Sequence, residues 1–149
     1  MKLTLTIGDA AIWIYKNNAK DLPYQRAFGN WDKFFLNAKV KPWGRTTWVP
    51  KLIQARPGDL IIASQSDRPG KKLVGLAQVV EHRLHTDYTE LILKPLVMLP
   101  GLVCRALKKR DPKVRRIPAL QGGMIKSLYS ISLTDTRRLL RYANVNLEK

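Results

Sequence analysis

The sequence predicts a single α+β domain built on a small, strongly bent sheet or open barrel of five or six strands flanked by short helices. Its 149 residues are enough to bury one core but too few for two ordinary domains, so residues 1–149 are treated as one unit. Apolar residues make up 45% of the chain, which is typical of a folded protein. Short apolar or alternating runs, separated by Gly and Pro turns, recur along its length.

The first half of the chain combines strands with short helical segments. We predict, in order, an alternating strand over 1–7, a buried strand over 11–15, a loop over 19–29, a helix over 31–38 and one or two helical turns over 49–55. Period-two alternation or a short apolar run indicates the strands. The helix is indicated by apolar residues at helical spacing after Asn30, a residue type suited to the N-cap. Pro57 and Gly58 end the helical turns.

The second half is richer in strands. We predict a strand over 60–65, a turn over 66–70, a strand over 72–80 that pairs with the preceding one as a hairpin, a strand over 89–99, a basic connection over 105–116, a last strand over 128–133 and a helix that begins at Thr134. Pro95 interrupts the strand over 89–99 and, because Pro cannot donate to a ladder, it predicts an edge strand or a bulge. Thr134 is a plain N-cap, because Arg137 rather than an acid stands three residues later.

Charge restricts the partners of the chain. Lysine and arginine number 27 against 11 acids, which gives a net charge of +16 and a pI near 10.3. A field of this sign concentrates polyanions, and nucleic acid is the first candidate. No apolar run of about 18 residues is present, so we expect no membrane partner. The single cysteine, Cys104, favours a reducing compartment, and the first residues lack a signal-peptide pattern, so we expect a cytoplasmic protein.

The segment from Lys41 to Trp48 is the most informative part of the sequence for function. Trp43, Arg45 and Trp48 lie in a turn-prone, charged stretch. Tryptophan is costly to leave in water, so two of them in a polar loop either fill a core or line a pocket for a flat ligand. In a strongly basic chain, that ligand would be a nucleobase.

Residues that would support other chemistry are sparse. His82 and His85 are too isolated for a metal site, and Cys104 lies in an apolar segment without a recognisable nucleophile motif. No Gly-rich phosphate loop and no close pair of carboxylates appears. We therefore expect no metal, no cofactor and no catalytic residues.

Several motifs in order resemble those of the EVE domain, a member of the PUA-like superfamily related to the YTH domain. The motifs, which span residues 11–142, are Ile12-Trp-Ile-Tyr-Lys-Asn17, Trp43-Gly-Arg45, Pro57-Gly-Asp-Leu60, Gly75-Leu-Ala-Gln-Val-Val80, Leu120-Gln-Gly122 and Ser130-Ile-Ser-Leu-Thr134. Ser64-Gln-Ser66 stands where many EVE domains have Tyr-His-Ser. The resemblance implies a PUA-like open β-barrel that recognises a modified base in DNA or RNA.

The resemblance also implies where a base would bind. Trp43 would stack on the base, as the family's tryptophan does at that place, and Trp48 would supply a second wall. Lys16 and Asn17 would lie at the mouth of the pocket, where an amide offers both a donor and an acceptor to a base edge. Further candidates for edge contacts are Ser64, Gln65 and Gln121.

A second set of residues is expected to contact phosphates. Arg45 would hold a phosphate or stack on a base. The segment from residue 105 to 116 carries seven basic residues against one acid, and cations of this kind follow a backbone without reading sequence. These residues are Arg105, Lys108, Lys109, Arg110, Lys113, Arg115 and Arg116.

Two alternatives remain open at the level of sequence. The first is an enzyme of the ASCH type, a related PUA-like fold, acting on RNA or modified nucleosides with Lys16 and either Asp59 or Glu81. The second is an RNA-binding protein that is indifferent to sequence and base modification. For the leading hypothesis we expect a monomer, with a separate nuclease or ATPase partner acting after recognition.

Overall fold

The computed structural model describes residues 2–18, 45–50, 54–67, 70–120 and 128–149. Within them the strands are β1 (Leu3–Thr6), β2 (Ile12–Asn18), β3 (Arg45–Pro50), β4 (Leu60–Asp67), β5 (Gly70–Leu84), β6 (Tyr88–Val103), β7 (Leu128–Ser130) and β8 (Val145–Glu148). The α-helices are α1 (Cys104–Arg110), α2 (Pro112–Arg115) and α3 (Leu133–Leu140). Short 3₁₀ turns lie at Pro118–Leu120 and Arg141–Ala143.

The strands form one large and one small sheet. The large sheet has six strands in the order β3-β6-β5-β4-β2-β7, and β1 pairs with β8 in a two-stranded parallel sheet. Within the large sheet β2 and β4 run parallel, whereas the other neighbours are antiparallel. The large sheet is not closed within the described residues and short helices lie beside it, so the predicted α+β class with an open arrangement of five to six strands is confirmed.

The large sheet buries apolar side chains on both faces. Along β2, Ile12 and Ile14 belong to one core, while Trp13 and Tyr15 belong to the other, as the two-residue period of a strand requires. The first core also contains Leu107 of α1 and side chains of α2, α3 and β8. These elements therefore cover one face of the large sheet.

The Pro57-Gly58 turn leads the chain into β4. The Asp59 N–H donates to the Arg56 carbonyl at 3.0 Å, and Gly58 has a φ of +94°. These features define a type II turn, in which Pro suits the second position and Gly the third. The sequence prediction of a turn followed by a buried strand is confirmed here, because β4 begins at Leu60.

Strand β6 corrects one of the two predictions made for Pro95. The strand lies between β3 and β5, so it is not at the edge of the sheet. The bulge is confirmed instead: Leu76 is paired with Val97 but Ala77 with Pro95, which leaves Leu96 without an opposite residue. The prediction of an edge strand was wrong for β6 because β3 pairs with its first part, from Tyr88 to Leu93.

Other local predictions also need correction. Residues 49 and 50 belong to β3 rather than to a helical turn. The basic segment after Val103 contains α1 and α2 rather than an irregular connection. Helix α3 is capped by Ser132, whose Oγ accepts from the Asp135 N–H at 3.1 Å, and not by Thr134. Strand β8 follows the strand predicted to be the last. Among the described residues, no helix is both long and apolar enough to cross a bilayer.

Candidate nucleic-acid interface

A cleft of about 320 Å³ opens where α1 meets α2. Its lining within the described part of the chain is entirely basic and consists of Arg105, Lys108, Lys109 and Arg115. We call it the helix cleft. It lies on the helical layer that covers the first core, so cations from separate turns of the chain meet on one surface.

The spacing along α1 explains why three of these side chains converge. Arg105, Lys108 and Lys109 are three and four residues apart and therefore share one side of the helix. Cys104 and Leu107 lie on another side and are buried in the first core. Burial of these two residues fixes the rotation of α1 about its axis, and the basic side then faces outward.

Asp111 forms the corner that brings α2 back beside α1. Its Oδ1 accepts from the Lys113 N–H at 3.0 Å, which caps α2, and Pro112 occupies the first helical position. Its Oδ2 accepts from the Tyr142 hydroxyl at 2.9 Å, and Arg138 lies 4.0 Å away. One carboxylate therefore holds the corner against the end of α3 and places Arg115 at the cleft.

The contacts of Asp111 predict how the stability of the protein depends on pH. Burial opposes ionisation, but the hydrogen bonds from Tyr142 and Lys113 and the charge of Arg138 outweigh it and lower the pKa of Asp111 below its usual 3.8. A depressed pKa gives stability that is present above pH 3.8 and is lost as the pH falls through the folded-state value. Asp111→Asn should therefore lower the Tm near neutral pH, and its difference from the wild type should shrink in acid.

This dependence is measured by thermal unfolding of both proteins across a pH series, followed by circular dichroism. Leu107→Ala serves as the control, because it destabilises the same region without changing a titrating group. A Tm difference for Asp111→Asn that stayed constant down to the most acidic pH would contradict the assignment of the carboxylate as a charged anchor.

Lys108 connects the helix cleft to the segment that follows. Its Nζ donates to the Leu120 carbonyl at 2.6 Å, which fixes the 3₁₀ turn at Pro118–Leu120. A lysine ammonium has three N–H donors, so two remain after this bond. Leu120 directly precedes Gln121, a residue predicted for the base pocket that lies outside the described residues.

The ends of β2 and β4 bring other predicted residues side by side. Lys16 is paired with Ser64, and Asn17 with Gln65. The Lys16 ammonium lies 4.3 Å from the centre of the Tyr129 ring. Ser64 and Gln65 are both buried, and by the alternation of β4 they point to opposite faces of the sheet. The strand ends are thus adjacent, but Ser64 and Gln65 do not face a common space.

The tryptophan loop is only partly described. Trp43 lies outside the described residues, as does the whole predicted helix over 31–38. Arg45 and Trp48 are described in their backbone alone, as part of β3, where Arg45 is paired with Leu93 and Trp48 with Glu90. Trp48 therefore lies in a strand and not in the irregular loop that the sequence indicated.

The remaining basic residues of the segment lie away from the cleft lining. Arg110 lies on another side of α1, with its guanidinium 5.4 Å from the centre of the Tyr142 ring. Lys113 and Arg116 are exposed at α2 and its C-terminal cap. The structure thus divides the seven basic residues into four that share a cleft and three that do not.

The acids considered for catalysis are engaged in other contacts. Asp59 is buried and accepts N–H groups from Ala11, Trp13 and Arg56, at 3.1, 3.0 and 2.9 Å. Lys16 is paired with Ser64, five residues along β4 from Asp59, which corresponds to roughly 16 Å of strand. Glu81 is exposed, and its carboxylate accepts from Arg83 at 2.9 Å. Sequence reasoning missed the role of Asp59, because its three donors are brought to it by folding.

The two histidines lie near the turn that connects β5 to β6. His85 stacks on Tyr88 with ring centres 4.4 Å apart, and its Nε2 lies 3.1 Å from Glu90. The Nδ1 of His82 lies 3.4 Å from the Ala55 carbonyl. No group of three or more His, Cys, Asp or Glu residues is arranged to hold a metal ion in the part of the chain that the structure describes.

Comparison with known proteins identifies the fold. No protein-family model matches the sequence, and no curated protein matches it. The structure is similar to that of Rpa0253 from Rhodopseudomonas palustris, with a TM-score of 0.67, 17% identity and coverage of 90% of this chain and 93% of that one. It is similar to a hypothetical protein from Leishmania major, with a TM-score of 0.59, 13% identity and coverage of 91% and 95%. It is also similar to human THYN1, solved in complex with DNA containing 5-methylcytosine, with a TM-score of 0.61, 13% identity and coverage of 90% and 98%.

Proposed function

We propose that this chain is a nucleic-acid-binding module that accepts one modified base in an aromatic pocket while its basic helices contact backbone phosphates. The observation that carries the proposal is the helix cleft, in which four basic side chains meet on one surface of a chain of net charge +16. The fold adds support, because a structure of similar fold, human THYN1, is bound to DNA containing 5-methylcytosine.

The free energies of base extrusion and base stacking explain why the chain needs both an aromatic pocket and phosphate contacts. Extruding a base from its stack costs a few kcal/mol, and stacking on aromatic side chains returns about 1–3 kcal/mol per base. Trp43 and Trp48 would therefore roughly offset the cost of extrusion and leave little net affinity. Phosphate contacts supply the remainder, and hydrogen bonds to the base edge supply discrimination.

The pairing of β2 with β4 supports one end of the sheet as the place of base recognition. The ends of β2 and β4 carry Lys16 and Asn17 beside Ser64 and Gln65. Lys108 fixes the carbonyl of the residue before Gln121. The proposal includes no chemical step, and the engagement of Asp59 and Glu81 in other contacts supports this part of it.

The test is binding of the wild type and Trp43→Ala to a panel of oligonucleotides at two salt concentrations. The panel contains cytosine, 5-methylcytosine and other modified bases in DNA and RNA. We expect the wild type to prefer one modified base by roughly 10- to 100-fold, the value of one or two unpaired edge contacts. Trp43→Ala should lose this preference and keep most of the salt-sensitive binding.

Trp13→Phe provides the control for loss of a tryptophan outside the proposed pocket. It removes the indole N–H that Asp59 accepts, so it should lower stability and leave the preference unchanged. Full preference in Trp43→Ala would exclude the pocket assignment. Equal affinity of the wild type for every oligonucleotide would favour the alternative of binding that ignores base modification.

A further inference from the structure

The helix cleft has a composition that separates it from a base pocket. Its four side chains in the described residues are all cationic, and no aromatic ring is among them. A base needs an aromatic or apolar surface on which to stack, whereas a phosphate needs several N–H donors. The described lining of the cleft therefore suits phosphate groups better than bases.

The cleft is held in place before any ligand arrives. Leu107 and Val114 bury α1 and α2 in the first core, and Asp111 fixes the corner between them. Lys108 is held by its bond to the Leu120 carbonyl. Four like charges brought together repel one another, and an anion that enters the cleft relieves this repulsion. A donor that is already placed, as Lys108 is, loses little freedom on binding, which favours affinity.

We propose that the helix cleft binds two successive backbone phosphates of a nucleic acid strand. Each phosphodiester carries one negative charge, so two of them are matched by two cations each. Arg105 and Arg115 offer planar forks that can hold phosphate oxygens in pairs, whereas Lys108 and Lys109 act as point charges. A volume of about 320 Å³ is at the lower end for ligand sites, which suits a short piece of backbone.

The cleft recognises a backbone and not a sequence, because each of its described side chains is a cation. Lys108 contacts the carbonyl of Leu120, which joins the cleft to the 3₁₀ turn at Pro118–Leu120. This inference rests on the proposed function, which makes the bound polyanion a nucleic acid. The cleft itself would contact strands with and without a modified base equally.

The experiment compares salt dependence of binding for variants with equal charge. The cleft variant carries Arg105→Gln and Lys109→Gln, and the control carries Arg56→Gln and Lys94→Gln, which change exposed residues away from α1 and α2. Affinity for a labelled single strand and a labelled duplex is measured over a salt series. Loss of two phosphate contacts should lower the slope of log K against log salt by about 1.4 for the single strand and about 1.8 for the duplex.

We expect the cleft variant to weaken binding by about tenfold or more at low salt, and the control to weaken it much less. Any preference for a modified base should be unchanged in the cleft variant, because the cleft contacts backbone alone. Thermal unfolding of both variants checks that the fold is retained. Arg105→Lys with Lys109→Arg should restore most of the slope.

Three outcomes would overturn the inference. The first is an equal fall in slope for both double variants, which would mean that net charge alone acts. The second is an equal fall for Lys113→Gln with Arg116→Gln, which would mean that the whole segment acts without a discrete cleft. The third is a cleft variant whose slope of log K against log salt for oligonucleotides is unchanged, but which no longer binds phosphatidylserine vesicles. This result would mean that the cleft binds an anionic lipid surface and not a nucleic acid. A wild type without base preference but with the expected slope change would contradict the proposed function and leave the cleft assignment standing.

Discussion

Asp59→Ala is expected to lower the free energy of unfolding by about 3 kcal/mol or more. The Asp59 carboxylate is 7% exposed and accepts three N–H groups, from the backbone of Ala11 and Arg56 and from the indole of Trp13. Removing it leaves these half-buried donors without their acceptor, and hydrogen bonds to a charged group contribute about 1.5–3 kcal/mol each. The loss of three such bonds together gives the expected total of about 3 kcal/mol or more.

The position of Asp59 explains why the loss should reach the whole sheet. The residue lies before β4 and bonds to the residues around the start of β2, and the Leu60 N–H also donates to the Ala11 carbonyl at 3.0 Å. It therefore fixes the point where the parallel pairing of β2 with β4 begins. This pairing sets the positions of Lys16 and Ser64 farther along the same strands.

Urea unfolding followed by circular dichroism measures the effect. Asp87→Ala, in the exposed turn between β5 and β6, should stay within about 0.5 kcal/mol of the wild type. Asp59→Asn should be intermediate, because the amide keeps one acceptor oxygen and turns its N–H₂ group toward other donors. A loss below about 1 kcal/mol for Asp59→Ala would show that the three donors find other partners.

Tyr129→Phe is expected to raise the free energy of unfolding by about 1–2 kcal/mol. The Tyr129 side chain is buried at 7% exposure, and its hydroxyl has no hydrogen-bond partner among the residues that the structure describes. A buried polar group without a partner carries the full cost of leaving water, about 1–3 kcal/mol. Phenylalanine keeps the ring beneath the Lys16 ammonium, so this contact remains.

Tyr142→Phe is the matched control, because it makes the same chemical change but is expected to lower the free energy of unfolding. The Tyr142 hydroxyl donates to Asp111, so its removal should destabilise the corner of α1 and α2. Thr89→Val tests the same rule as Tyr129→Phe in β6, because the buried Thr89 Oγ1 also has no partner among the described residues. Destabilisation by Tyr129→Phe would show that its hydroxyl is bonded after all and would remove the prediction.

Elements whose pattern is complete over a few neighbouring residues could be predicted from the sequence alone. Alternation and short apolar runs predicted β1, β2, β4 and β5, and the Pro57-Gly58 pair predicted the turn before β4. Composition determined that seven cations would lie together between residues 105 and 116. The same pattern was too short to predict α1 and α2, because their buried residues, such as Leu107 and Val114, are few and widely spaced.

Which of these elements contact one another could not be predicted from the sequence and follows from the folded structure. Strand β6 is internal because β3 pairs with it, β8 exists as a strand beside β1, and Asp59 is an anchor because β2 supplies its donors. Four of the seven cations form the helix cleft because two buried faces and one Asp111 corner orient α1 and α2. Periodicity in the sequence shows which side of an element is apolar, whereas strand pairing and the convergence of side chains depend on contacts between residues far apart in the chain.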